Sequence, residues 1–205
     1  GTRPARLEDL GEAVPPAVGP GKRLLDLWLG SLALVVSAPL LGVAALAVRL
    51  DGGPAPVLYR APRIGEGMRP FLALKLRTMR PDAGGSRVTV AGDARVTRVG
   101  LVLRRYRIDE LPQLFNVLRG EMSLVGPRPE RPLWVDRFSI ENAHYADRQR
   151  VPAGVTGWAQ VHGLRGDTSI EVATVAVRLG HIENPKPSDF PENVIGGHLA
   201  HDVAS

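Results

Sequence analysis

Charged residues vanish from the chain between Leu27 and Val48. The 22-residue run LWLGSLALVVSAPLLGVAALAV matches the about 20 residues a helix needs to cross ~30 Å of hydrocarbon. Pro39 sits inside the run, where it removes a backbone donor and presses on the preceding turn. Ser37, two residues earlier, carries a hydroxyl that can serve a freed carbonyl. Cations flank both ends, with Lys22 and Arg23 before the run and Arg49, Arg60 and Arg63 after it. Because cations favour the cytoplasmic side, this flanking places both ends there. Three arrangements fit the segment: a spanning helix, a re-entrant helix that enters and leaves one leaflet, and a buried core helix.

Beyond residue 50 the pattern shortens. Asp51-Gly52-Gly53-Pro54 predicts a turn, Val57-Leu58-Tyr59 a short strand, and Gly65-Glu66-Gly67 a second turn. In FLALKLRTM, Leu72, Leu74 and Leu76 fall at alternate positions, which predicts a half-buried strand carrying Lys75 and Arg77 on its other face. Residues 82–95 are Gly/Asp-rich and predict a loop. Leu111, Leu114, Phe115 and Leu118 fall on one helical face. Gly120 is a natural stop for that helix, Asp109 or Glu110 its start, and Pro112 is tolerated in its first turn. The organisation expected is a polar arm over 1–20, an apolar helix over 21–50 broken near Pro39, a compact domain over 51–180 and an irregular tail over 181–205. The fold class is α/β, leaning to α+β.

Composition narrows the chemistry. With 205 residues, 44% of them apolar, the chain can bury one core plus an appendage. The net charge of +5 favours anionic partners such as phosphorylated substrates or acidic headgroups. Nucleic acid is not expected, because aromatic interleaving and a docking motif are both missing. The sequence has no cysteine, which excludes disulfides, thiolate metal sites and a cysteine nucleophile. It holds no P-loop, dinucleotide fingerprint or nucleophile elbow. His144 and His162 lack ligand spacing.

The candidate chemistry lies around residue 109. Asp109 and Glu110 follow Arg104, Arg105 and Arg107 at a predicted helix start, where amides and guanidinium groups are expected to keep a carboxylate ionised. An ionised Asp can attack phosphorus, and a neighbouring carboxylate can relay a proton. In SLVGPRP two prolines stiffen a turn that presents Arg128. Lys75 and Arg77 form a basic strand face suited to a diphosphate. Taken singly, each feature has an ordinary structural explanation.

Together they resemble the monotopic phosphoglycosyl transferases, also called bacterial sugar transferases. The resemblance rests on KRLLDL at 22–27, the apolar run with Pro39, PVLYRAPRIG at 56–65, FLALKLRTM at 71–79, RRYRIDELPQLFNVLRGEMSLVGPRPERP at 104–132 and GVTGWAQVHGLRGDTS at 154–169. It implies a re-entrant helix broken at a Ser/Pro site, here Ser37 and Pro39, with amphipathic interfacial helices and a catalytic domain on the cytoplasmic face of the bacterial inner membrane. It also implies that Asp109 attacks the β-phosphate of a UDP-sugar, that UMP leaves, and that a covalent phosphosugar-aspartate passes its sugar phosphate to a polyprenyl (undecaprenyl) phosphate with help from Glu110. Mg²⁺ is the implied cofactor, with Asp109 its protein contact. Arg104, Arg128, Lys75 and Arg77 match the family's substrate-binding cations. PRPERP and WAQVHGLRGDTS point to the exopolysaccharide branch and a hexose 1-phosphate. Homo-oligomerisation is left open. The C-terminal part departs from the family pattern at VATVAVRLGH, which keeps an alternative in play: a catalytically weak membrane scaffold of the same fold.

Overall fold

A computed structural model describes residues 19–51, 53, 55–80, 93–141 and 145–157. The arm before residue 19, most of the 82–95 loop, and Trp158 with everything after it lie outside the described residues. Helix α1 spans Pro20–Asp51 and continues through Pro39. Its 32 residues give about 48 Å if straight, and it is long and apolar enough to cross a membrane. The sequence anticipated a break near Pro39, whereas the helix runs on through it. Ser37 Oγ donates to the Leu34 carbonyl at 3.3 Å, not to Val35, whose carbonyl loses its partner because Pro39 has no N–H.

Two strands follow. β1 (Leu58–Ile64) and β2 (Pro70–Leu76) pair antiparallel, joined through a 3₁₀ turn at Glu66–Met68. The register sets Leu58 opposite Leu76, Tyr59 opposite Lys75, Ala61 opposite Ala73 and Arg63 opposite Phe71. Opposed residues share a face, so Tyr59, Ala61, Arg63, Phe71, Ala73 and Lys75 form one side and the alternating leucines form the other, as their spacing required.

Helix α2 (Arg98–Arg105) is capped by Thr97, whose side chain accepts from the Gly100 N–H. The chain then makes a 3₁₀ turn at Ile108–Glu110 and enters α3 (Gln113–Arg119) behind Pro112. Gly120 ends α3 at φ +86°, a left-handed conformation that glycine alone adopts cheaply. β3 (Ser123–Val125), α4 (Pro132–Glu141), a 3₁₀ segment (Tyr145–Arg150) and β4 (Gly154–Thr156) complete the order. β3 and β4 pair in parallel. A Cβ on Gly126 would overlap the Pro152 carbonyl oxygen, and one on Gly154 would overlap the Gly126 nitrogen; this crossing needs glycine on both sides.

The result is a small α+β domain preceded by a long apolar helix. The domain holds α1 at both ends. Near its start, Asp26 is buried and accepts from Ser123 Oγ at 2.8 Å and from the Leu124 N–H at 3.2 Å, while Gly30 lies against Val117 and Leu118. Near its end, Ala44 and Val48 pack with Leu76 and Leu103. Between these sites the outer face is bare: Val35 is 70% and Val36 72% exposed. Residues Gly30, Leu34, Ser37, Leu41, Ala44 and Val48 are buried or half-buried, recurring every three or four positions along one stripe.

Candidate active site

β2 brings Lys75 to the 3₁₀ turn that carries Asp109 and Glu110. α3 is locked to the same strand by Asn116, which is fully buried. Asn116 Oδ1 accepts from the Leu74 N–H at 3.0 Å, and its Nδ2 donates to the Leu72 carbonyl at 2.9 Å and to Glu121 Oε2 at 2.7 Å. One side chain thus takes the place of a neighbouring strand along the β2 edge. This changes the face expected for α3: Gln113, Leu114, Asn116 and Val117 point inward, while Phe115 is exposed. The C-terminal end of α3 is held by α1, since the Arg23 guanidinium donates to the carbonyls of Val117 and Leu118 at 2.6 and 2.8 Å. A cation there also complements the negative end of the helix dipole.

Glu110 gathers the cations. Its Oε1 accepts from Lys75 Nζ at 2.6 Å and from Arg128 NH2 at 3.1 Å, and Arg107 NH1 lies 3.7 Å from Oε2. Burial alone would raise its pKa, but Arg128 and Lys75 overcome this and pull it down to about 2. On the other partner, burial lowers the basicity of Lys75 first, with Arg128 and Arg63 pushing the same way and Glu110 resisting. The 2.6 Å contact supports an ionised Glu110 and a protonated Lys75.

Asp109 is the contrasting partner. Desolvation raises its pKa, the charge of Glu110 adds to this, and Lys75 and Arg104 oppose it. The sequence suggested guanidinium groups holding this carboxylate ionised; the structure gives the strongest such effect to Glu110 and leaves Asp109 the more basic of the two. Among the described residues, Asp109 meets its own backbone N–H and no side-chain donor.

The other expected residues fall as follows. Arg104 sits in the last turn of α2 and its Nε donates to Thr78 Oγ1 at 2.7 Å. Arg128 reaches Glu110 from the Pro127–Pro129 turn, and its carbonyl accepts from Arg148 NH2 at 2.7 Å. Arg77 lies just past β2, where its N–H donates to the Val57 carbonyl at 2.8 Å; among the described residues, the cations set around the two carboxylates include Lys75, Arg104, Arg107 and Arg128. Ser37 and Pro39 lie in the middle of α1, Ser37 half-buried and Pro39 exposed.

Arg107, which the sequence placed among the guanidinium groups beside the two carboxylates, does reach Glu110; sequence reasoning missed Asn116 and Arg148 as parts of the candidate site. Arg107 takes φ +56°, and its left-handed backbone turns the chain from α2 into the dyad. The signal for Asn116 was present: a polar residue inside the pattern of Leu114 and Val117 is either exposed or committed to a buried partner. Arg148 is 2% exposed and also donates to the Tyr145 hydroxyl at 3.0 Å, so it stiffens the Arg128 turn from beneath.

Such an arrangement, with a basic carboxylate beside clustered cations, suits attack on a phosphorus centre whose charge the cations absorb. No group of three or more His, Cys, Asp or Glu poised for a metal occurs among the described residues. A magnesium ion bound through one carboxylate and substrate phosphates needs no such cage, and Asp109, which meets no side-chain donor among the described residues, has carboxylate oxygen to offer it.

Comparison with known proteins decides the family. The model of the bacterial sugar transferases matches residues 18–186. The chain belongs to that family. A UDP-glucose:undecaprenyl-phosphate glucose-1-phosphate transferase of Caulobacter vibrioides is 52% identical over 154 residues, covering 74% of this chain and 57% of the relative. The Escherichia coli transferase of the same description is 43% identical over 149 residues, covering 72% of the chain and 32% of that protein. An exopolysaccharide production protein of Rhizobium leguminosarum is 42% identical over 153 residues, with 72% and 76% covered. The chain therefore spans about half or less of several longer bacterial sugar transferases, and most of the Rhizobium protein.

Proposed function

We propose that this bacterial sugar transferase moves a sugar 1-phosphate from a UDP-sugar to undecaprenyl phosphate, starting the assembly of an exopolysaccharide or related glycoconjugate. The observation that carries the reading is the division of labour between two adjacent carboxylates: Glu110 is bound by cations, and Asp109 is left basic and without a side-chain donor. An Asp109 oxygen attacks the β-phosphorus, the bond from that phosphorus to the bridging oxygen breaks, and UMP leaves. A phosphate oxygen of the acceptor then attacks the same phosphorus and releases Asp109. Lys75, Arg104 and Arg128 offset the charge that builds on the phosphoryl oxygens. Magnesium held by Asp109 and the diphosphate would neutralise further charge when bound. Glu110, with its oxygens taken by Lys75 and Arg128, serves chiefly to hold those cations in place.

The proposed setting is the cytoplasmic face of the inner membrane, with α1 re-entrant. Support comes from the docking of Asp26 and of Val48 onto the same domain. A helix held at both ends by one domain keeps both ends on that domain's side of the bilayer. Leu101, Val102, Tyr106 and Phe115 are exposed on α2, α3 and their connection, and supply apolar contacts at headgroup depth.

The test is intact-mass analysis after mixing the full chain with UDP-sugars and Mg²⁺ but no acceptor. Relatives named for glucose and for N-acetylgalactosamine set the minimum donor panel. A gain of one sugar phosphate, absent in Asp109→Asn, is expected. No gain and no UMP release with any donor would favour the scaffold reading instead.

A further inference from the structure

The basic face of the β1–β2 hairpin extends beyond the residues used so far. Arg63 lies on the same face as Lys75, two cross-strand pairs further along, with only the alanine pair Ala61 and Ala73 between them. Both alanines are buried and short, so neither carries a polar group between the two cations. The antiparallel bridge between Ile64 and Glu130 brings the chain after Arg128 across the end of β1, which adds Arg131 to the group. Arg63 donates to the neighbouring Pro62 carbonyl at 2.7 Å, and no carboxylate pairs with it among the described residues. Burial, Arg131 and Arg128 all lower its basicity, against Glu130. Lys75 feels Arg63 as an additional repulsion. Four cations thus share a face on which Glu110 is the acid bound to two of them, Lys75 and Arg128.

Position along the hairpin orders these cations. Leu76 packs against α1, Lys75 comes next at the dyad, and Arg63 stands opposite Phe71, about 17 Å of strand from Leu76. The far end packs against Val135, Phe138 and Tyr145 instead of α1. The α1 end of the hairpin is thus the end next to the apolar helix, and Arg63 stands at the other, half-buried.

We propose that Arg63, supported by Arg131, forms a second phosphate subsite on the hairpin face, distinct from the Lys75–Arg128 position at the dyad, and that it takes the phosphate that stays with the nucleotide. This rests on the transfer reading above and assigns a residue to its leaving group. A guanidinium at that phosphate stabilises the charge left when the bond to the β-phosphorus breaks.

The experiment is calorimetric titration of the full chain in nanodiscs with UMP, with uridine, and with a short prenyl phosphate as probes. Arg63→Gln is expected to raise the Kd for UMP about 10-fold or more, leaving uridine and prenyl phosphate binding unchanged, with Arg63→Lys between. Melting curves confirm that each variant is folded, and Arg63→Lys carries the test if Arg63→Gln is not. UMP binding unchanged in the folded variant, or a loss confined to prenyl phosphate, overturns the proposal. Asp109→Asn keeps UMP binding while losing the covalent adduct, so failure of the subsite and failure of the transfer reading give different results.

Discussion

Lys75 Nζ stands 2.6 Å from Glu110 Oε1, on the oxygen that also accepts from Arg128 at 3.1 Å. One carboxylate oxygen therefore fixes two cations from separate elements, a strand and a proline-bound turn. Removing it leaves both cations crowded without a counter-charge, and breaking a largely buried pair in this way costs about 3–5 kcal/mol. Glu110→Gln is expected to lower the melting temperature and to reduce UMP release at least about 100-fold (some 2.7 kcal/mol of barrier). Thermal melting and a UMP-release assay on one preparation check both effects.

Acid should weaken the fold through the same residue. Arg128 and Lys75 hold the Glu110 carboxyl down at about 2 in the folded chain against an ordinary 4.5, so the folded form binds its proton less readily than the unfolded form. Its contribution is complete above pH 4.5 and is lost as the pH falls through that value toward 2. With the side chain 11% exposed, the amount is on the order of a few kcal/mol. Urea unfolding at pH 7 and pH 3 measures it, and Glu110→Gln should flatten this part of the pH dependence.

Asn116→Ala should be among the most damaging changes far from any substrate. It strands the Leu74 N–H and the Leu72 carbonyl, and each buried unpaired group costs about 1–3 kcal/mol. A drop in stability of about 2–4 kcal/mol by denaturant unfolding is expected. Asn116→Asp is also predicted to fail, because a carboxylate has no donor for Leu72 and would face Glu121.

The topology of α1 can be read chemically, because the sequence offers no cysteine to interfere. Leu24 and Leu50 are 66% and 77% exposed at opposite ends of the helix. Leu24→Cys and Leu50→Cys, made singly, should both react with a membrane-impermeant maleimide from the cytoplasmic side of inverted vesicles. Labelling from opposite sides would show a spanning helix.

Much of this architecture was legible because it is local. The uncharged run predicted α1, the alternation of Leu72, Leu74 and Leu76 predicted β2 and the face of Lys75, and Gly120 marked the end of α3. The grouping at the candidate site was legible for a different reason: Asp109, Glu110 and Arg128 lie in one long family-like block, so their proximity did not have to be folded from first principles. What stayed hidden is non-local. Nothing near Asp26 announces a bond to Ser123, 97 residues away. Phe115 fits an inward stripe by spacing, yet Asn116 takes the inward place because the β2 edge needs a polar partner. The contrast between Asp109 and Glu110 also escaped, since both follow the same arginines in sequence and only the three-dimensional reach of Lys75 and Arg128 separates them.

The two-point grip of the domain on α1 has a practical corollary. Cutting the backbone after Asp51 would sever the covalent link, yet Arg23, Asp26 and Val48 would still clasp the domain. Proteolysis there should leave the fragment bound to lipid and not release it to solution. Deleting the helix would expose the Leu76–Leu103 surface and orphan Ser123. The hydrophobic helix is thus a wall of the domain, and a shortened soluble version would begin life with that wall missing.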